Sequence, residues 1–181
     1  MAVRPDPAPA PGSVLEFADR AAGAAGAAPE AGPQAGPQLH LITFRLDGEE
    51  FALPIAAVRE VIRVGEITRV PQAPAHVRGI TNLRGRIVPV VELRTRLGLA
   101  PLVPTPKARI IVAETEGRLL GLLVDEVAQV LKLAADRVVD PPEEVRSAAG
   151  DHVTGVARLG ERLVILLDLE RALAGPAPSH G

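Results

Sequence analysis

The chain has 181 residues, a net charge of −2, no cysteine and only 2% aromatic residues. The balanced charge gives no electrostatic reason to expect nucleic acid or an anionic membrane as a partner, and the shortage of aromatic rings disfavours single-strand nucleic-acid binding. Without cysteine, disulfides, thiolate zinc sites and cysteine nucleophiles are excluded. There is no signal-peptide core and no apolar run near the ~18 residues of a membrane helix, so we expect a cytoplasmic protein.

The N-terminal segment differs in composition from everything that follows. Residues 1–38 are mostly alanine, proline and glycine. Such a segment buries too little apolar surface to offset the entropy lost on ordering, so we predict a disordered leader. We expect residues 39–175 to form the folded domain and residues 176–181 to form a disordered tail.

The first half predicts short strands joined by turns. Apolar residues alternate from Leu39 onward, and Asp47-Gly48 is typical of a hairpin turn that leads into a second strand. Pro54 can begin a helical turn, and a third strand follows that Gly65 closes. This part of the chain therefore reads as all-β.

The segment Val77–Arg94 predicts a second hairpin. Asn82 and Gly85 flank its bend, and both residue types tolerate a positive φ. The outgoing arm is β-branched and nearly continuous, which favours a strand buried on both faces. Pro89 interrupts its hydrogen-bond ladder and indicates an edge position or a bulge. A short helical turn then ends at Gly98.

The second half of the chain repeats the first. Gly48–Val58 matches Gly117–Val127 at an offset of 69 residues, and the hairpin that begins at Val77 returns from Val153 at an offset of 76. The difference of 7 residues predicts a longer loop within Pro142–His152. Each copy has about 65 residues, which is marginal for a separate core. We therefore expect two similar small β units packed together with a groove between them.

The two copies also serve as internal controls for each other. Residues that the fold requires should reappear, as in the pairs Val58/Val127, Gly79/Gly155 and Leu83/Leu159. Arg84 and Glu60 do not reappear, because the second copy has Gly160 and Gln129 there. They are the candidate site residues of this comparison, and the alternative is that both are ordinary surface charges.

The residue types needed for catalysis do not converge. The histidines and serines are scattered, no glycine-rich phosphate loop follows a strand, and no metal-ligand spacing is visible. Asp125-Glu126 could be imagined as an acid pair with Glu92 or Asp168. However, Glu92 and Asp168 are repeat equivalents, and each precedes a helical turn, so helix-end carboxylates are expected. We therefore expect no enzyme, cofactor or metal.

Five motifs together resemble the CheW family, the coupling proteins of bacterial chemosensory arrays. The resemblance covers Leu39 to about Ala174. The motifs are I-x-x-V-R-E-V-I from Ile55, I-T-R-V-P from Ile67, G-I-T-N-L-R-G-R-I-V-P-V-V-E-L-R from Gly79, G-L-L-V-D-E-V from Gly121, and T-G-V-A-R-L-G-E-R-L-V-I-L-L-D from Thr154.

The resemblance implies two five-stranded SH3-like β-barrels and a non-enzymatic adaptor that links chemoreceptors to a CheA-type histidine kinase. In that family the receptor's helical hairpin lies in the groove between the barrels. The receptor-binding residues carry over to Val58, Glu60 and Arg84. The kinase regulatory domain binds an apolar barrel edge, for which Ile110, Val124 and Val127 are candidates by position, although each is as well suited to the core.

The resemblance also implies a protein that is monomeric outside the array and is recruited to membrane receptor arrays. His152 stands where the family often has an aromatic residue, and the leader is longer than usual. One alternative is the same domain in a non-flagellar chemosensory pathway, whereas a receiver-fused relative is disfavoured because the chain ends at Gly181. The alternative of another class is a small β-barrel that binds a metabolite or another regulatory partner outside chemotaxis, which would need a polar-lined pocket and usually aromatic residues.

Overall fold

The structure is a computed structural model that describes residues 36–174, so most of the predicted leader and the predicted tail lie outside the described residues. The chain is mostly β, as predicted. The strands are β1 (Gln38–Leu46), β2 (Glu49–Pro54), β3 (Val58–Arg63), β4 (Val77–Leu83), β5 (Arg86–Glu92), β6 (Arg109–Thr115), β7 (Arg118–Val124), β8 (Glu126–Ala134), β9 (Val138–Val139), β10 (Val153–Leu159) and β11 (Arg162–Leu167). The short helices are α1 (Leu93–Arg96), α2 (Glu143–Ala149) and α3 (Leu169–Ala174), with 3₁₀ turns at Ile55–Ala57 and Ala135–Arg137.

The strands form two sheets with the same internal plan. The six-stranded sheet has the order β8-β1-β2-β11-β10-β9, and the five-stranded sheet has the order β3-β6-β7-β5-β4. Without β9, each strand of one sheet corresponds to its repeat equivalent in the other. The prediction of two similar β units is therefore confirmed, and the sequence repeat is a structural repeat.

The two sheets are not the two sequence halves. The hairpin β1–β2 pairs with β8 and β11 of the second half, and the hairpin β6–β7 pairs with β3 and β5 of the first half. Each half thus contributes its first hairpin to the sheet that the other half completes.

The core has three parts, because the central strands are buried on both faces. Alternate residues of a strand point to opposite faces, so Ile110 of β6 packs inside the five-stranded sheet whereas Ile111 faces the other sheet. A large cluster that includes Ile42, Phe44 and Leu122 joins the two sheets. Each sheet also curves around a smaller apolar cluster of its own, which agrees with the expected barrel-like units.

The expectation that β5 is buried on both faces holds for only part of the strand. Val90, Val91 and Glu92 pair with β7 and are buried, whereas Ile87 is 63% exposed. Pro89 lies immediately before the segment that pairs with β7. Its missing N–H therefore falls where β5 has β4 as its only paired neighbour.

The extra residues of the second half form a helix and not the longer loop that we expected. Pro142 precedes α2, and Glu143 and Glu144 lie in its first turn, where carboxylates interact favourably with the helix dipole. Gly150 ends the helix with a φ of 81°. These local signals specify a helix, and alanine, the strongest helix former, favours it as well.

Candidate partner-binding site

The turn between β4 and β5 places Arg84 in an unusual backbone conformation. Arg84 has a φ of 51° and Gly85 a φ of 85°, so Gly85 uses the positive φ that it tolerates, whereas Arg84 and not Asn82 is the other residue with a positive φ. The Asn82 side chain instead accepts a hydrogen bond from the Gly85 N–H at 2.8 Å. A left-handed conformation costs a non-glycine residue roughly 1–2 kcal/mol. The second copy avoids this penalty, because Gly160 occupies the equivalent position with a φ of 63°.

Arg84 makes a bidentate ion pair with Glu60 of β3. Its two terminal nitrogens donate to the two carboxylate oxygens at 3.2 and 2.8 Å. Because β3 and β4 are the two edges of the five-stranded sheet, the pair spans the ends of the curved sheet. Arg84 is exposed, with 61% of its side chain accessible, but Glu60 is only 7% exposed. The alternative that both are surface charges is therefore wrong for Glu60.

A cavity of about 420 Å³ opens beside this pair, and we call it the mouth cavity. Its lining residues all belong to the five-stranded sheet or its turns: Arg59, Glu60, Leu83, Arg84, Arg86, Val112, Glu114, Gly117 and Leu119. Charged side chains therefore surround an apolar floor. Glu60 and Arg84 thus meet at the mouth of the five-stranded sheet.

The equivalent mouth of the six-stranded sheet has different chemistry. Gln129 and Gly160 stand where the five-stranded sheet has Glu60 and Arg84, so the cross-edge ion pair cannot form there. The other ion pair of the mouth cavity, in which Arg59 contacts Glu114 at 2.6 Å, is likewise lost, because its equivalents are alanine and arginine. The charged mouth is therefore a property of one sheet and not a requirement of the fold.

Val58 is brought near the pair but is not itself accessible. It is 6% exposed and packs in the cluster between the sheets. The register of β3 against β6 shifts between Val58 and Glu60, and such a bulge re-aims the side chains that follow it. Val58 therefore fixes the strand that carries Glu60.

The residues predicted to bind the kinase are more buried than a contact surface requires. Ile110 is 1% exposed and Val124 is fully buried, so neither presents its side chain to a partner, because both faces of their strands are covered. Val127 is half-buried and packs against the cluster between the sheets. A kinase-binding role for these three residues stays a prediction.

Of the five exposed large apolar residues in the range 36–174, four form repeat-related pairs, and the fifth is Val103. Ile87 is 63% exposed and its equivalent Leu163 is 59% exposed, while Val70 and its equivalent Val139 are 37% and 60% exposed. The sequence comparison missed them because it treated apolar residues that recur in both copies as core residues. The pairs Ile87/Leu163 and Val70/Val139 show instead that equivalent positions of the two units expose an apolar side chain.

The carboxylates considered as an acid pair have separate structural partners. Asp125 accepts a hydrogen bond from the Nε of Arg94 at 2.7 Å, and Glu92 pairs with Arg78 at 2.7 Å. Asp168 accepts from the N–H of Arg171 at 3.0 Å at the start of α3, as predicted for a helix-end carboxylate. Glu92 likewise stands at the N-cap of α1, as predicted, although its side chain makes no cap hydrogen bond there.

Two equivalent histidines and one arginine lie where the two halves meet. Burial lowers the pKa of His76 and of its repeat equivalent His152, and the positive charge of Arg96 lowers both pKa values further, whereas Asp151 opposes the shift at His152. The Nε of Arg96 donates to the carbonyl of Ala172, its own repeat equivalent, at 2.5 Å. This junction joins α1 to α3.

Two further features are absent from residues 36–174. Within that range no helix is long and apolar enough to cross a membrane. In the same range no three histidine, aspartate or glutamate side chains gather so that they could hold a metal ion.

Comparison with known proteins identifies relatives of the whole folded part. The CheW-like domain model matches residues 40–176. A chemotaxis protein CheW from Klebsiella aerogenes is 35% identical over 133 residues, which are 74% of this chain and 80% of the relative. A probable chemotaxis protein CheW from Rhizobium etli is 36% identical over 131 residues, which are 72% and 84% of the two chains. The crystal structure of the scaffolding protein TtCheW from Thermoanaerobacter tengcongensis matches with a TM-score of 0.71 and 30% identity, over 78% of this chain and 96% of that one.

Proposed function

The chain belongs to the CheW-like family of non-enzymatic chemotaxis scaffold proteins, and from this premise we propose that it couples methyl-accepting chemoreceptors to a CheA-type histidine kinase. In this proposal Glu60 and Arg84 form the binding site for the cytoplasmic tip of the receptor, and Val58 positions the strand that carries Glu60. The observation that carries the proposal is the Arg84–Glu60 pair at the mouth cavity.

The pair supports binding because folding alone does not require it. The second copy builds the same hairpin with Gly160 and the same strand with Gln129. A guanidinium has five N–H donors in a fixed geometry, and Arg84 uses two of its nitrogens on Glu60. Its remaining donors and its exposed face are available to a partner.

The kinase would bind through apolar side chains that the fold leaves accessible. Because Ile110 and Val124 are buried, the contacts we propose are half-buried Val127 and the exposed residues Ile87 and Leu163. Large apolar side chains that stay exposed are natural contacts for a partner. The proposal thus replaces the apolar barrel edge predicted from the sequence with apolar side chains that are accessible in the structure.

The remaining parts of the proposal concern location and organisation. The protein would be cytoplasmic, monomeric outside the array, and recruited to membrane receptor arrays through the receptor tip. Residues 39–175 would be the coupling domain, preceded by a leader over residues 1–38 and followed by a tail over residues 176–181. A non-flagellar chemosensory pathway would use the same two surfaces.

The proposal is tested by separating the two binding activities in the full chain. We expect Arg84→Ala to lose binding to a soluble receptor cytoplasmic fragment in a pull-down while it keeps kinase binding. Arg84→Glu should be worse, because it sets an acid against Glu60 and against any acidic partner. Leu163→Glu should show the opposite pattern and serves as the matched control. Thermal unfolding of each variant verifies the fold, and a folded Arg84→Ala protein that binds the receptor normally would refute the proposal.

A further inference from the structure

Arg86 is the one arginine of the mouth cavity without an ion pair to any residue in the range 36–174. Arg59 is paired with Glu114, and Arg84 is paired with Glu60. Arg86 lines the same cavity, is exposed, and makes no hydrogen bond or ion pair with another described side chain. The cavity therefore holds three guanidinium groups against two carboxylates, and the unmatched positive charge lies at Arg86.

The repeat shows what an arginine at this position does when a partner is present. The equivalent of Arg86 in the six-stranded sheet is Arg162, which pairs with Glu50 at 3.5 Å. Glu50 lies in β2, next to β11. The residue equivalent to Glu50 in the five-stranded sheet is Leu119 of β7, which lines the mouth cavity. One sheet thus supplies an internal carboxylate to its arginine, and the other sheet has leucine in that place.

The surroundings of Arg86 favour a carboxylate from outside the chain. Leu83, Val112 and Leu119 give the cavity an apolar floor, and charge pairs are stronger beside such low-dielectric surface than in open water. Guanidinium groups bind carboxylates in a bidentate geometry. Glu60 is already held by Arg84, so it does not compete for Arg86.

We propose that Arg86 is a further receptor-binding residue, and that it binds the side-chain carboxylate of a glutamate or aspartate on the receptor tip. This inference rests on the proposed function, because the receptor is the partner that would bring the acid to the mouth cavity. In the bound complex the incoming carboxylate takes the place that Glu50 holds beside Arg162.

The experiment measures the dissociation constant of the full chain for a soluble cytoplasmic fragment of a methyl-accepting chemoreceptor. We expect Arg86→Ala to weaken binding about 5- to 30-fold, as typical for loss of an interface charge contact, and Arg86→Lys to weaken it less. The matched control is Arg118→Ala, which removes the same charge from an exposed residue. Arg118 lies between the cavity residues Gly117 and Leu119 but does not itself line the cavity. A second readout is compensation: Arg86→Glu should be rescued by changing one acidic residue of the receptor fragment to arginine.

The outcomes separate this inference from the proposed function. If Arg84→Ala loses binding while Arg86→Ala binds like the wild type, the inference is overturned and the proposed function stands. If Arg86→Ala and Arg118→Ala weaken binding equally, general charge attraction accounts for the effect and the inference is overturned. If the wild-type chain does not bind the fragment, both are overturned.

Discussion

At the scale of single residues, Arg84 differs from its repeat equivalent in the cost of its backbone conformation and in its charge. Arg84 occupies a left-handed turn position in which its equivalent is Gly160, and it pairs with Glu60, a residue that is only 7% exposed. The backbone penalty and the ion pair act in opposite directions on stability. Their effects can be separated by substitutions at this one position.

We predict that Arg84→Gly is more stable than Arg84→Ala by about 1 kcal/mol, which is the penalty for alanine in the left-handed region. Both substitutions remove the partner of Glu60, so that loss is common to them and cancels in the difference. Urea unfolding of the two proteins measures the free energies. Equal stability would show that the turn changes its conformation when the arginine is removed.

At the scale of elements, two glycines allow close approach between a strand and its neighbouring segment. A Cβ added to Gly79 in β4 would lie 2.2 Å from the carbonyl oxygen of Thr68, and one added to Gly155 in β10 would lie 2.3 Å from Cγ1 of Val138. The two positions are repeat equivalents, and the prediction that they are structural is consistent with these contacts. They differ in what the added methyl group meets, because one neighbour is backbone and the other is a side chain.

We predict that Gly79→Ala destabilises the protein more than Gly155→Ala. The valine side chain can change its rotamer, which limits the loss of stability to about 1–3 kcal/mol as for ordinary overpacking. At Gly79 the strand itself must move, and its φ of 152° also disfavours a side chain. Chemical denaturation of both variants gives the comparison, and the reverse order of stability would contradict it.

The junction between α1 and α3 predicts a pH dependence of stability. His76 and His152 have lowered pKa values in the folded state, chiefly because of burial and then because of Arg96. The unfolded chain therefore binds more protons, and stability should fall as the pH drops below the ordinary histidine pKa of 6.5. The contribution of the two imidazoles is fully present above that pH.

The measurement is the free energy of unfolding at pH 8 and pH 5.5 for the wild type and for a His76→Gln/His152→Gln double variant. We expect the double variant to lose less stability between these two pH values. Its stability at pH 8, where imidazoles are neutral, supplies the control for any packing loss. The same loss in both proteins would assign the acid sensitivity to other groups.

At the scale of the whole molecule, the exchange of hairpins makes the two halves interdependent. Without the second half, the five-stranded sheet lacks its interior strands β6 and β7. Without the first half, the six-stranded sheet lacks its interior strands β1 and β2. The largest apolar cluster also lies between the sheets. Unfolding should therefore be cooperative over the whole domain.

We predict that neither residues 36–104 nor residues 105–181 fold alone, and that mixing the two fragments restores β structure. Each isolated fragment would expose sheet edges and the apolar faces of its hairpin. Circular dichroism of the separate and the mixed fragments tests this expectation. A fragment that unfolds cooperatively on its own would show that the exchanged hairpin is dispensable.

The sequence alone determined the features that depend on residues close together along the chain. Asp47-Gly48 specifies a hairpin turn, alternation of apolar residues specifies strands, and the repeat and the family follow from matching segments of the chain. Arg84 and Glu60 were also singled out in this way, because they differ from their repeat equivalents, whereas Val58 became a candidate only through the family resemblance. All these signals are local or come from comparing one stretch with another.

The tertiary structure alone decided which sheet each hairpin joins and which charges are buried. A strand has the same pattern whichever partner pairs with it, so the exchange of β1–β2 and β6–β7 left no mark in the alternation. For the same reason the sequence could not show that Ile110 and Val124 are covered on both faces. The sequence left open whether Glu60 is an ordinary surface charge, because its burial and its ion pair with Arg84 depend on contacts between the two edges of the sheet. Burial is a property of contacts between distant segments, and only the folded chain brings those segments together.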